Sequence, residues 1–123
     1  TKNFHWHVSG PHFRDLHLLF DEQATQIVGL VDIIAERVRK NDAPTLTSIG
    51  SISAASNIAD QDGQLEADAM IKELRDDNRK LLGRLREVKD TSEEAGDHAT
   101  NGLVDDWIDE AEERVWFLSE LLK

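Results

Sequence analysis

The stretch that decides the fold is residues 11–40, PHFRDLHLLFDEQATQIVGLVDIIAERVRK, which has a proline at its start and none inside. Apolar residues recur along it every three, four or seven positions, the spacing that gives an α-helix one apolar face. Proline suits the first turn of a helix, because its missing N–H would have no partner there. We therefore predict one long helix from Pro11 to about Lys40, with an apolar stripe formed by Phe13, Leu16, Phe20, Ile27, Leu30, Ile34 and Val38.

The rest of the chain is also patterned as helices, and no stretch alternates like a β-strand. Three long helices with a truncated first one indicate an incomplete ferritin-like four-helix bundle, all-α, in a single domain over 1–123 whose first helix lies largely before Thr1. Gly10 and Pro44 mark breaks between elements. The further elements that we predict are the end of a helix over 1–8, a short helix over 45–56, a loop over 57–63, and long helices over about 65–89 and 98–122.

Composition excludes several classes of protein. The chain has 123 residues and no Cys, so it has neither a disulfide framework nor a thiolate metal site. No apolar run reaches the length of a membrane span, and we expect a cytoplasmic protein with no membrane partner. The 25 acidic and 14 basic residues give a net charge of −11, which argues against a generally basic nucleic-acid surface.

Histidines cluster at the start of the chain, where four of the five lie within the first 17 residues. Histidines beside carboxylates are typical of metal sites, although an isolated histidine is usually not a ligand, and we interpret His7 and His12 in that ordinary way. His17 and Asp21 are four residues apart, so they lie on one helix face and can converge on one ion.

A second pair with the same spacing, Asp32 and Glu36, lies further along the same helix. Taken alone it fits a solvated helix surface, since Glu36 has Lys40 four residues on as an ion-pair partner. At about 1.5 Å per residue, Asp32 stands roughly 22 Å from His17, and the two lie within roughly 60° of one helix face. They cannot share an ion within one chain, but two antiparallel copies of the helix would bring them together twice.

Such a pairing would place the crossing point near Ala24 and Thr25, where small residues, with Gly29 nearby, let two backbones approach. The ligands would be nitrogen and oxygen with no sulfur, a set that suits non-haem iron. Zinc remains an alternative, because affinity order alone favours it over ferrous iron.

Several of these segments resemble the signature of the Dps family, the ferritin-like miniferritins named as DNA-binding proteins of starved cells. The first part runs from Asn3-Phe4-His5-Trp6-His7-Val8-Ser9-Gly10-Pro11-His12-Phe13 through Leu16-His17 and Asp21-Glu22 to Asp32 and Glu36-Arg37. Residues 96–97, 106–109 and 113–118 are similar to the last helix of that family. The resemblance covers essentially the whole chain.

The resemblance implies a hollow dodecamer that oxidises ferrous iron, preferentially with hydrogen peroxide, and stores ferric mineral, thereby limiting oxidative stress. It implies a di-iron ferroxidase centre at each twofold interface, with His5, His17 and Asp21 from one subunit and Asp32 and Glu36 from its partner. Trp6 matches an aromatic residue beside that centre, where it would intercept oxidising equivalents, although an aromatic core residue at a helix end is equally expected there.

Two alternatives stay open from the sequence. One is a DNA-binding, nucleoid-protecting shell in which iron oxidation is secondary, which needs a basic tail before Thr1, because duplex DNA demands several cationic contacts. The nearest cationic group in the chain, Arg37, Arg39 and Lys40, fits charges at a helix C-terminus instead. The other alternative is a plain helical oligomer with an adventitious zinc site.

Overall fold

The computed structural model describes all of residues 1–123, which form five α-helices and no β-strand. The all-α prediction is confirmed. No helix combines the length and the apolar character needed to cross a membrane. The helices are α1 (Lys2–His7), α2 (Phe13–Lys40), α3 (Ile49–Ala55), α4 (Ala67–Glu94) and α5 (His98–Glu120).

The first three helices belong to one compact unit, Thr1–Gln64. Within it, α1 is held to α2 by apolar packing: the rings of Phe4 and Phe20 lie 6.5 Å apart in a tilted arrangement, and both are buried. Val8 and Leu16 are buried as well. A helix as short as α1 is not stable by itself, so this packing is what fixes its position.

The two ends of α2 differ in how well the sequence predicts them. The helix begins at Phe13 and not at Pro11, because Gly10 adopts φ +107° and residues 10–13 form a turn in which the Phe13 N–H donates to the Gly10 carbonyl (3.1 Å). The end at Lys40 is as predicted, and Asp42 follows it with φ 58°. The helix is unbroken in between.

The short helix α3 is smaller than the predicted 45–56. It begins after Ser48, whose side chain accepts from the Ser51 N–H (3.1 Å), while the Ser51 hydroxyl accepts from the Ser48 N–H (3.1 Å). This capping box fixes the start of the helix. No residue of α3 is buried within the chain, and Ile49 is 89% exposed.

The second compact unit, Leu65–Lys123, contains α4 and α5. The predicted end of α4 near Lys89 is wrong: the helix continues through the weak helix formers of residues 90–92, and the chain turns only at Gly96, with φ +68°. Asp97 then caps α5 by accepting from the Thr100 N–H (3.1 Å).

A buried cation lies in the core of this unit. The guanidinium of Arg114 is 2% exposed and donates through Nε to the Asn78 Oδ1 (2.8 Å), and the Asn78 amide donates to the Leu74 carbonyl (2.8 Å). Burial lowers the pKa of Arg114 from its ordinary value, while Glu110 and Glu113 oppose that change. Asn78 therefore solvates a charge that water does not reach.

We predict that Asn78→Ala lowers the free energy of unfolding by about 1–3 kcal/mol, because the buried guanidinium loses an acceptor. Asn41→Ala is the matched control: Asn41 also accepts from an arginine, Arg37 (3.0 Å), but on the surface, and we expect about 0.5 kcal/mol or less there. Urea unfolding followed by circular dichroism measures both. Equal losses in the two variants would contradict the prediction.

Candidate metal centre

Two imidazoles from different helices hold each other in place. The Nδ1 of His5, in α1, lies 2.7 Å from the carbonyl oxygen of His17, in α2, and the Nδ1 of His17 lies 2.8 Å from the carbonyl oxygen of His5. A carbonyl oxygen only accepts, so each Nδ1 carries the proton and donates it. The Nε2 atom of each neutral ring then keeps its lone pair and is available to a metal ion.

The two rings are stacked, with centroids 3.9 Å apart and planes 18° from parallel. Phe13 also stacks on His17, at 5.1 Å. An imidazole binds a metal in its own ring plane at about 2.0–2.1 Å. Because two nearly parallel planes share no point so close to both rings, the two Nε2 atoms are not placed to chelate one ion.

The carboxylate of Asp21 is the third ligand-type group at this place. Its Oδ1 lies 3.9 Å from the Nε2 of His5 and forms an ion pair with Lys2. The hydrogen bond and the charge of Lys2 lower the pKa of Asp21, together with His5 and His17, and outweigh the opposing effect of desolvation. The carboxylate is therefore ionised throughout the neutral range.

The structure does not bring the other two predicted ligands, Asp32 and Glu36, to these three. Both are exposed residues of the unbroken α2, and Asp32 is fifteen residues beyond His17, or about 22 Å at the helical rise. No group of three or more histidine and carboxylate side chains in the chain is arranged to hold an ion by itself. The centre formed by His5, His17 and Asp21 is thus open.

The α2 helix exposes several apolar residues in this region. Val28 is 70% exposed and Val31 is 63% exposed, and Leu18 is about half exposed. Thr25 and Gly29 are exposed too, but Ala24 is only 7% exposed within its own chain. The methyl group of Ala24 therefore faces the interior on the same side as Phe20. The crossing of two copies near Ala24 and Thr25 stays a prediction.

Three other aromatic residues, His7, His12 and Trp6, are close to the candidate site in sequence but have different surroundings in the structure. The Nδ1 of His7 bonds to the Asn3 carbonyl (2.8 Å) in the preceding turn, and His12 is the exposed residue before α2. Trp6 is 64% exposed, so it is not an aromatic core residue of the single chain.

Two residues at this centre were not predicted from the sequence. One is Lys2, and the other is Phe13, which contacts His17. Phe13 does carry a signal, because it stands four residues before His17 in α2 and so lies on the same helix face. Lys2 carries none, because α1 and α2 meet through tertiary packing and the spacing between residues 2 and 21 reflects no helical period.

Comparison with known proteins shows the class of protein to which the chain belongs. The family model of the ferritin-like domain matches residues 1–123. By structure, the chain is similar to Dps from Thermosynechococcus elongatus, with a TM-score of 0.96 and 30% identity over 99% of this chain and 78% of that one. It is also similar to Dps from Vibrio cholerae, described as a member of a broad superfamily of ferritin-like diiron-carboxylate proteins, with a TM-score of 0.94, 30% identity and coverage of 99% and 77%.

By sequence, the chain is 36% identical to the DNA protection during starvation protein of Brevibacillus brevis, over 98% of this chain and 81% of that protein. The chain therefore belongs to the Dps family of ferritin-like proteins. The predicted family and the predicted ferritin-like fold are both confirmed.

We predict that His5→Ala and His17→Ala each remove one of two bound divalent ions and leave the other. Each remaining imidazole keeps its orientation, because its hydrogen bond goes to a backbone carbonyl that alanine retains. Anaerobic cobalt(II) titration, followed by visible absorption, measures the stoichiometry. His7→Ala is the control and keeps both ions; loss of both ions in either single variant would refute the two-ion geometry.

Proposed function

We propose that this protein oxidises ferrous iron, with hydrogen peroxide as the preferred oxidant, at centres shared between two copies of the chain. In each centre His5, His17 and Asp21 come from one copy, and Asp32 and Glu36 come from the other. The observation that carries the proposal is the grouping of His5, His17 and Asp21 at one end of α2, with a pair of exposed carboxylates about 22 Å further along the same unbroken helix.

An antiparallel pairing of two α2 helices about a twofold axis would bring the histidine half of each copy against the carboxylate half of the other. It would cover the exposed apolar residues Leu18 and Val28, which otherwise face water. With Ala24 buried in its own chain, the close approach would be made over Thr25 and Gly29, where a Cβ added to Gly29 meets nothing within 4 Å in the single chain. That open space is available to the partner.

The ligand set fits the chemistry. Neutral imidazole nitrogens suit ferrous iron, and carboxylate oxygens suit the harder ferric product. Each of two ferrous ions gives one electron, the O–O bond of hydrogen peroxide breaks, and two protons are taken up to give two water molecules. The ionised Asp21 and the partner's carboxylates offset the charge that the ions gain.

Trp6 follows His5 directly in α1, and its indole is exposed. We propose that it supplies electrons to oxidising species that escape the two ions, so that damage stays on one replaceable side chain near the centre. The ferric product would move inward and accumulate as mineral in a hollow dodecamer. The cytoplasm, where ferrous iron and peroxide meet, is where we expect the protein to act.

A complementation experiment tests the shared centre. We predict that His17→Ala and Asp32→Ala shells are each inactive in peroxide-dependent ferrous oxidation, measured by stopped-flow absorption. When the two variants are co-expressed, a mixed dimer has one centre with both defects and one centre with none. Random mixing then restores roughly a quarter of the wild-type activity.

The matched control for this experiment pairs His17→Ala with Asp21→Ala. Both defects fall on the same half of the centre, so every centre in a mixed dimer keeps one defect and no activity returns. Restoration in this control, or none in the His17 and Asp32 mixture, would refute the shared centre. Zinc binding with no ferrous oxidation in the wild-type protein would instead favour a plain zinc site.

DNA binding is the second candidate function, and the name of the Brevibacillus brevis relative favours it. The charges on the surface of residues 1–123 do not favour DNA binding. Arg39 donates to the Ala43 carbonyl (2.9 Å) and caps α2, and several cations of α4 are paired with carboxylates. Those pairs, at 2.9–3.4 Å, are Arg79–Asp76, Lys80–Asp77, Arg84–Glu87 and Arg86–Glu112.

We predict that residues 1–123 give no shift of duplex DNA in a gel at low salt, because binding requires several cations free to contact phosphate. A salt series is the control, since genuine phosphate contacts weaken steeply as salt rises. A shift at low salt that disappears with added salt would establish the DNA-binding function for this part of the protein.

A further inference from the structure

The imidazole of His17 is the middle ring in a stack of three aromatic rings. The ring centroid of His5, in α1, lies 3.9 Å away, and that of Phe13, one turn earlier in α2, lies 5.1 Å away with the planes 29° apart. No ring contact joins Phe13 to His5. Phe13 therefore reaches the pair of proposed ligands through His17 alone.

Core packing does not explain why an aromatic ring stands at this position. Phe13 is 45% exposed in the chain, whereas Leu16 and Phe20 of the same helix are buried. The backbone fixes its place, because Phe13 is the first residue of α2 and its N–H donates to the Gly10 carbonyl in the turn before the helix. A phenyl ring is thus held beside a candidate ligand, outside the apolar core of the chain.

A phenyl face acts differently on a neutral imidazole and on one that binds a metal ion. An imidazole that gives its Nε2 lone pair to an ion takes up part of the positive charge of that ion. The face of an aromatic ring is negative, and it attracts a cation within about 6 Å of the ring centroid. At 5.1 Å, His17 lies inside this range, so its contact with Phe13 becomes more favourable when the imidazole binds an ion.

The close stacking of the two imidazoles makes such an attraction useful. His5 and His17 would both carry positive charge in the loaded centre, and like charges 3.9 Å apart repel one another. Each Nδ1 is held by a backbone carbonyl, at 2.7 Å for His5 and 2.8 Å for His17, so neither ring can turn away without loss of a hydrogen bond. The face of Phe13 offsets part of this repulsion from within the chain.

We propose that Phe13 is a positioning residue for metal binding, which keeps His17 in the stack and stabilises the positive charge that this imidazole acquires when its Nε2 binds an ion. The inference rests on the proposed function and concerns a residue outside the proposed ligand set. Phe13 contacts no ion itself, and its whole contribution passes through His17.

Anaerobic cobalt(II) titration of the assembled protein, followed by visible absorption, tests the proposal. Phe13→Leu keeps an apolar side chain but has no aromatic face, and we predict that it weakens cobalt binding about two- to fivefold, the range expected for a cation on an exposed aromatic ring. Phe13→Tyr keeps the aromatic face and the wild-type affinity. In ferrous oxidation, KM for iron rises in Phe13→Leu by the same factor as the cobalt dissociation constant, while kcat changes little.

Replacement of Phe13 by pentafluorophenylalanine separates the charge of the ring face from its shape. The fluorinated ring is nearly as large, but its face is positive, so we expect cobalt binding at least as weak as in Phe13→Leu. This protein also decides the matter if light scattering shows that Phe13→Leu does not assemble. Wild-type cobalt affinity in the fluorinated protein would overturn the proposal.

Phe117→Leu is the matched control. Phe117 is 39% exposed and contacts a single aromatic ring, that of Trp116 at 5.0 Å, but it lies in the other compact unit, and we expect wild-type cobalt affinity. In a His17→Ala background, Phe13→Leu should have no further effect on cobalt binding, because the ring that transmits its effect is absent. Further weakening in that background would contradict the proposal.

The outcomes separate this inference from the proposed function. Wild-type protein that does not oxidise ferrous iron, but whose cobalt affinity depends on the ring at position 13 as predicted, would refute the function and leave the inference intact. Wild-type protein that oxidises ferrous iron, with a Phe13→Leu variant of unchanged cobalt affinity and KM, would refute the inference alone.

Discussion

The reciprocal hydrogen bonds between His5 and His17 are the interaction on which the centre depends. Each imidazole donates to the backbone of the other, so the same two bonds fix two tautomers, two ring orientations and the register of α1 on α2. Buried Phe4 and Phe20 supply the apolar packing that a six-residue helix lacks by itself. Without this arrangement the Nε2 atoms would have no defined direction, and the two histidines would not form one half of a metal site.

A second constraint is the length of α2. A helix is a rigid spacer, so its unbroken course keeps the histidine half and the carboxylate half of the ligand set apart in every copy. Under the proposed pairing, the chain is incapable of redox chemistry until it assembles. Ferrous iron would then be oxidised only where the interior of a shell is at hand to receive the ferric product, and a free subunit would not generate it in solution.

Local chemistry explains which parts could be predicted from sequence. The end of α2, the turn at Gly96 and the ordering of five helices follow from glycine, proline and apolar spacing, which act over a few residues. The start of α2 and the end of α4 were misplaced because one turn more or less of helix costs little. Lys2 beside Asp21 could not be predicted, since it depends on how two helices dock. The burial of Ala24 depends on docking in the same way, because small size suggests a close approach but only packing decides on which side of the helix the methyl group lies.

The negative charge of the carboxylates is a further constraint on the candidate centre. Three carboxylates in a pairing interface would repel one another and resist burial unless cations accompany them. Within the single chain, Lys2 supplies one such cation to Asp21. Under the proposed pairing, the carboxylates of the partner would stay without a cation until metal ions arrive, so the charge of the ions would complete the balance that the Lys2–Asp21 pair begins.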